Sequence, residues 1–256
     1  MNYVDSFDMK ELIEKALKED IGVKDITTEG FVPENRRVKA GIIAKQGCVV
    51  CGIHIAGAVF KHLDDDIKFT TKARDGQKVR RGRLLCILEG KARSILTAER
   101  VALNFLSLLC GISTKTRTFV EAVKPYKAKI LDTRKTFPGL RVLEKYAVRM
   151  GGGFNHRFKL DEMLMVKDNH RAVAGDIRNL KTRLPLQWIH PLEVEVNNLK
   201  ELKEALELRP DIIMLDNMSL GDMRKAVRLR PGPLPKLEAS GGINLKTVRR
   251  IASTGV

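Results

Sequence analysis

The chain has 256 residues, 43% hydrophobic and 30% charged, the balance of a globular protein with a large core rather than a disordered or fibrous one. Its formal net charge of +16 admits three readings: a solvated lysine-rich surface, an anionic small-molecule ligand, or nucleic acid. Aromatic residues are only 5% and the basic residues are spread along the chain, which argues against a base-stacking nucleic-acid platform.

The amino terminus reads as an amphipathic helix over 8–18, with Leu12, Ile13, Ala16 and Leu17 on one face. It lacks the pattern of a signal peptide, and no apolar run is read as approaching membrane-spanning length. With four cysteines (Cys48, Cys51, Cys86, Cys110) the expectation is a reducing cytoplasm and free thiols. Cys48 and Cys51 lie in an apolar run with no second ligand pair at metal-binding spacing, so they read as buried thiols. Asp25-Ile26-Thr27-Thr28 reads as a loop or cap. Strands are predicted over 38–44, 48–51 and in the segment closed by Gly90, with a helix over 54–62 between them. A long helix runs to about residue 109, with Thr97 as its N-cap and Arg100 in its first turn. A cation there opposes the helix dipole, which points either to a use elsewhere or to a surface ion pair with Glu99.

From residue 128 strands and helices alternate. Strands are predicted over 128–131, 163–166, 192–196, 212–215 and 237–239, with helices over 139–150, 170–182, 198–207, 219–229 and 244–253. Such repetition argues for a parallel sheet with right-handed crossovers, and the number of units for a closed barrel more than an open sheet. The predicted class is α/β: an amino-terminal α+β sandwich domain over 1–110, then an incomplete-type α/β barrel of parallel strands over 111–256.

Each strand candidate ends in polar residues that a core does not need. Arg134, Lys135, His156, Arg157 and Lys167 follow strand ends or turns, where ligands of α/β folds bind, and so many cations together suit a ligand with several carboxylates or phosphates. Glu193 and Glu195 alternate with apolar residues and share one face of their strand, while Asp216 closes the next strand. Glu195 and Asp216 suit either a divalent metal and sugar hydroxyls or ion pairing with Arg134 or Lys167. Ser240-Gly241-Gly242, between a strand and a helix beginning near Asn244, is either a plain turn or a phosphate-binding loop.

The motifs Asp132-Thr133-Arg134-Lys135-Thr136 with Pro138-Gly139-Leu140-Arg141, Gly151-Gly152-Gly153 with Asn155-His156-Arg157, and Lys167 with Asn169-His170 resemble the quinolinate phosphoribosyltransferase family. The resemblance runs from about residue 10 to the end of the chain. It implies an α/β barrel with fewer strands than the eight-stranded type. It also implies condensation of quinolinate with phosphoribosyl pyrophosphate, giving nicotinate mononucleotide, pyrophosphate and carbon dioxide, with Mg²⁺ as cofactor. Arg134, His156, Arg157 and Lys167 would then hold the dicarboxylate, joined by Arg100 from the partner subunit of a homodimer, with Thr133 and Lys135 at the same pocket. Lys135, Glu195 and Asp216 would be catalytic, Glu195 and Asp216 facing the ribose and the metal. Ser240 and Gly241 would take the 5′-phosphate. No membrane or nucleic-acid partner is implied. A relative associated with molybdenum transport, with another base as substrate, is the alternative, although the full cation set favours a dicarboxylate. Two departures stand out: Phe158-Lys159 replaces the small residue usual before Leu160, and the family continues beyond Val256 through a further strand and a Gly-Ser/Thr loop, which reads either as a truncated sequence or as a barrel that lacks one element.

Overall fold

A computed structural model describes residues 8–175, 177 and 190–256. Contacts divide the chain into two compact units. The first runs to Arg117 and takes in Lys135–Asn155; the second is Thr118–Arg134 with the chain from His156 on. Residues 135–155 thus group with the amino-terminal unit, whereas the sequence reading put all of 111–256 in the second domain.

In the first unit, α1 (Met9–Ile21) is capped by Asp8, whose carboxylate accepts from Glu11 N at 2.9 Å, and it buries Ile13 and Leu17. The Asp25 segment is itself a short helix, α2 (Ile26–Phe31). Asp25 Oδ1 accepts from Thr28 N at 2.9 Å, and Asp25 Oδ2 receives the hydroxyl of Thr97 at 2.9 Å. Strands β1 (Arg37–Ile43), β3 (Lys68–Thr71) and β5 (Leu84–Lys91) form an antiparallel sheet in the order β1-β5-β3, and β2 (Cys48–Val49) pairs with β4 (Lys78–Val79). Helix α3 (Ile53–Leu63) packs Ala56, Val59 and Phe60 into the same core.

Helix α4 (Ala92–Val123) is longer at both ends than the sequence suggested. Thr97 lies inside it rather than at its N-cap, and Arg100 is beyond the first turn, so the dipole argument for Arg100 does not hold. By length and composition α4 could cross a membrane, contrary to the sequence reading. Its apolar face is instead buried in the first unit's core through Ile95, Ala98, Val101, Ala102, Phe105, Leu106 and Leu109. Helix α5 (Arg141–Met150) buries Leu143 and Ala147 there too.

All four cysteines are free. Cys51 N donates to Cys110 Sγ at 3.2 Å. Burial raises the Cys48 thiol, pushes Cys86 up to about 11 and Cys110 up to about 12, and lifts Cys51 further still.

The second unit is built on a parallel sheet, β6 (Leu164–Val166), β7 (Leu192–Val196), β8 (Ile212–Asp216) and β9 (Lys236–Ser240), in sequence order among the described residues. Among the described residues, helices α6 (Asp168–Ala174), α7 (Leu199–Glu207), α8 (Leu220–Leu229) and α9 (Val248–Ala252) accompany it. The predicted strand over 128–131 is reduced to one bridging residue, Leu131. The helix predicted over 170–182 is α6 as far as residue 174, and most of its remainder lies outside the described residues. One face of the sheet presents Val194 and Ile213, fully buried, to a core completed by Leu202, Ala205, Met223 and Ala226 from α7 and α8. Alternation sends the other residues of β7 to β9 to the opposite face. The register aligns Glu195, Met214 and Glu238 in one row and Asp216 with Ser240 in the next.

Candidate active site

The sheet face opposite the helices carries an acidic strip where a core would normally be apolar. Glu193 is fully buried and Glu195 nearly so. A buried carboxylate needs cations or donors close by, and the segments at the carboxyl ends of the strands supply them. His156 Nε2 lies 2.7 Å from Glu193 Oε2 and 3.9 Å from Glu238 Oε2. Lys167, at the end of β6, places Nζ 3.5 Å from Glu195 Oε2. The Glu195–Lys167 ion pair weighed from the sequence is therefore present.

The cations are crowded as well as paired. Burial, followed by repulsion from the Arg134 guanidinium, holds Arg157 below the usual arginine range, with Glu193 and Glu162 acting in the opposite sense. Arg157 Nη1 donates to the carbonyl of Met163 at 2.7 Å, which ties it to the entry of β6. The backbone N of His156 donates to Asp132 Oδ1 at 2.9 Å, so the Asp132-Thr133-Arg134 and His156-Arg157 motifs are joined directly. Burial is also the main reason that Glu238 is raised to about 7; the charge of Glu193 adds to the shift, and His156 and Lys167 oppose it.

At the end of β8, Asn217 adopts a left-handed conformation (φ 52°), Asn217 N donates to Ser240 O at 2.9 Å, and Asn217 Nδ2 donates to Asp216 Oδ2 at 2.8 Å. Gly241 follows at φ 83°, and a Cβ there would stand 2.1 Å from Asn217 Oδ1. The glycine is therefore required for contact with the neighbouring strand end as well as for its own conformation. The helix expected near Asn244 begins only at Val248. The stretch before it is a turn in which Asn244 N donates to Thr247 Oγ1 and Lys246 N to Asn244 Oδ1, both at 2.9 Å. The phosphate reading of Ser240 and Gly241 thus rests on the loop itself rather than on a helix directly behind it.

The second unit holds Thr133, Arg134, His156, Arg157, Lys167, Glu195, Asp216, Ser240 and Gly241, whereas Arg100 and Lys135 belong to the first. Both Arg100 and Lys135 are exposed. Sequence reasoning did not single out Glu193 as a site residue, although its alternation with Glu195 was visible. It passed over Glu238, whose only signal is an acid between Leu237 and Ala239 in a short apolar run.

Family models for the two domains of quinolinate phosphoribosyl transferase match residues 25–110 (N-terminal domain) and 112–256 (C-terminal domain). The chain belongs to the quinolinate phosphoribosyl transferase family. Among its relatives in this family, a probable carboxylating nicotinate-nucleotide pyrophosphorylase of Synechocystis sp. is 44% identical over 248 residues, covering 95% of this chain and 84% of the relative. The corresponding Bacillus subtilis protein is 39% identical over 250 residues, covering 97% and 86%. Among solved structures, the nicotinate-nucleotide pyrophosphorylase of Francisella tularensis superposes with a TM-score of 0.91 at 41% identity, covering 97% of this chain and 88% of its own. The Ehrlichia chaffeensis enzyme gives 0.90 at 40%, covering 96% and 90%. The quinolinate phosphoribosyl transferase fold, a small antiparallel-sheet unit followed by a parallel-strand α/β unit, is thus the fold of this chain.

Proposed function

We propose that this chain is a phosphoribosyltransferase that joins quinolinate to phosphoribosyl pyrophosphate, with loss of the 2-carboxylate as carbon dioxide, to give nicotinate mononucleotide and pyrophosphate on the route to NAD. The observation that carries the reading is the match of both family domains from residue 25 to residue 256. The names of the relatives describe one reaction written in its two directions: a decarboxylating quinolinate phosphoribosyltransferase in Nicotiana tabacum and a carboxylating pyrophosphorylase in Synechocystis. Neither these names nor those of the structural relatives favour the molybdenum-transport alternative.

The residues fit the chemistry. Quinolinate carries two carboxylates, and crowded cations pay the least for being together when such an anion lies among them. Arg134, Arg157, His156 and Lys167 would hold it, with the pyridine nitrogen directed at C1 of the ribose. As pyrophosphate leaves, positive charge builds at C1, and the carboxylates of Glu195 and Asp216 on the same sheet face would stabilise it. Lys135 would assist at the anionic groups. The ring nitrogen, cationic once bonded to the ribose, then accepts the electron pair released as carbon dioxide departs, and a proton replaces the carboxylate. Placing two charged reactants in contact contributes up to roughly 7–11 kcal/mol. The oxygen donors of Glu195 and Asp216 suit Mg²⁺, which would neutralise charge on the leaving pyrophosphate when bound. Ser240 and the glycine turn after it would receive the 5′-phosphate. We further propose a homodimer in which Arg100 serves the partner's site, and a cytoplasmic location.

Release of labelled carbon dioxide from carboxyl-labelled quinolinate tests the reading. Release that requires phosphoribosyl pyrophosphate and Mg²⁺ together is the expected result. No release from folded protein with both present would overturn it.

A further inference from the structure

Helix α4 has more apolar surface than its own unit covers. It is apolar enough to cross a membrane, yet fewer than half of the residues in its most apolar 18-residue stretch are buried. Its buried face belongs to the first unit's core, while Leu96, Arg100, Asn104 and Ser107 are exposed. Their spacing of three and four residues puts these side chains on one face of the helix. Asn104 stands at a cavity of about 180 Å³ that is also lined by Val101, Phe105 and Leu108 of α4, by Leu140, and by Glu19 and Asp20 of α1. All of these residues belong to the first unit.

The second unit carries a projection of matching chemistry. Phe158 N donates to Glu162 Oε2 at 2.7 Å, which closes a turn with Lys159, Leu160 and Asp161 at its tip, all exposed. Leu160 is 67% exposed. A leucine on a turn already closed by a hydrogen bond loses little freedom on entering an apolar cavity, and it leaves water by doing so. The exposed carboxylates of Glu19 and Asp20 suit the cation of Lys159 beside it.

We propose that the cavity beside Arg100 is a socket for a second copy of this chain, filled by the partner's Leu160. This docking rests on the reading that Arg100 serves the partner's site, and it supplies the contact which that reading needs. For Arg100 to reach the partner's His156 and the partner's Arg157, α4 must lie against the chain next to them, and the turn closed by Glu162 follows Arg157 directly. In a two-fold dimer the contact is made twice, each subunit's turn entering the other's socket.

In the test, Asn104→Cys and Leu160→Cys proteins are mixed, allowed to exchange subunits and treated with a short bismaleimide. Burial raises the native thiols, so they stay unreacted. The expected result is a covalent dimer in the mixture and in neither variant alone. A mixture that is dimeric by sedimentation but yields no covalent dimer overturns the socket while leaving the homodimer in place. A native chain that sediments as a monomer sinks the shared-site reading and the socket with it. A mixture that does cross-link, from a native protein with no quinolinate turnover, sinks the proposed function alone. A second measurement uses charge. Leu160→Asp brings a further carboxylate to Glu19 and Asp20 and should weaken dimerisation roughly tenfold or more, with Leu160→Lys weakened less. Native dimer affinity in Leu160→Asp, or the reverse order, overturns the proposal.

Discussion

The phenol of Tyr146 donates to Asp75 Oδ2 at 2.8 Å, and the same carboxylate receives Gly52 N at 2.9 Å and Ile53 N at 3.1 Å. Gly52 has no side chain with which to cap α3, so Asp75 supplies the cap from another part of the chain and at the same time anchors α5. Asp75→Ala removes three acceptor contacts at once and should lower unfolding free energy by about 2–4 kcal/mol, against about 1 kcal/mol for Tyr146→Phe. Urea denaturation of the two variants checks the order.

Arg134→Ala should lower kcat/KM by about a hundredfold or more while moving the melting midpoint by no more than a few degrees. Steady-state assay and thermal melting on the same preparation test this. Near-native turnover would remove Arg134 from the substrate site.

Gly241→Ala should be costly for a reason local to the loop. The added methyl meets Asn217 Oδ1 at 2.1 Å, and the backbone sits at φ 83°. A loss of about 2 kcal/mol in stability and a roughly tenfold rise in the KM for phosphoribosyl pyrophosphate are expected, with the KM for quinolinate less affected.

Glu238 makes stability depend on pH. Its folded-state value of about 7, against 4.5 for the unfolded chain, means that the folded protein holds the extra proton between those values. Stability should therefore fall as pH rises through about 4.5 to 7 and then level off. Glu193, His156 and Lys167 face the same carboxyl and set its shift after burial. Glu238→Gln should remove this slope and be the more stable protein at pH 8.5 by on the order of 2 kcal/mol, with little difference at pH 4. Urea midpoints of both proteins across that range would show it; parallel curves would contradict it.

A site shared between two chains predicts complementation. Arg100→Ala and Lys167→Ala should each be nearly inactive alone, and subunit exchange should restore about a quarter of native activity, because half of the dimers are then mixed and each mixed dimer has one intact site of its two. Absence of recovery after demonstrated exchange would place both residues in the same chain's site.

The parts of this architecture that were legible in the sequence are those written by a single period. Strands β7 and β8 alternate or run apolar, and α7 and α8 carry helical spacing, so their limits are found to within a residue or so. Other limits were set by competing interactions. Thr97 looks like a cap but hydrogen-bonds to Asp25, while the helix continues back to Ala92 without a breaker. Asn244 and Thr247 bond to their own backbone neighbours and so delay the last helix to Val248. The predicted strand over 128–131 is only four residues long, and only Leu131 is bridged. Within the site, the cation motifs were visible because they are contiguous. Glu238 was not, because its meaning comes only from the register that aligns it with Glu195 through Met214.

The four raised, shielded thiols have a practical side for spectroscopy. A maleimide reacts through thiolate, and at neutral pH Cys51, Cys86 and Cys110 supply almost none, with Cys48 also held back by burial. One new thiol at an exposed position, for example Ser253→Cys, would then be the fast-reacting handle on an otherwise native chain. A single dye or spin label could thus be placed on the second unit, and its movement during turnover followed, without first removing the chain's own cysteines.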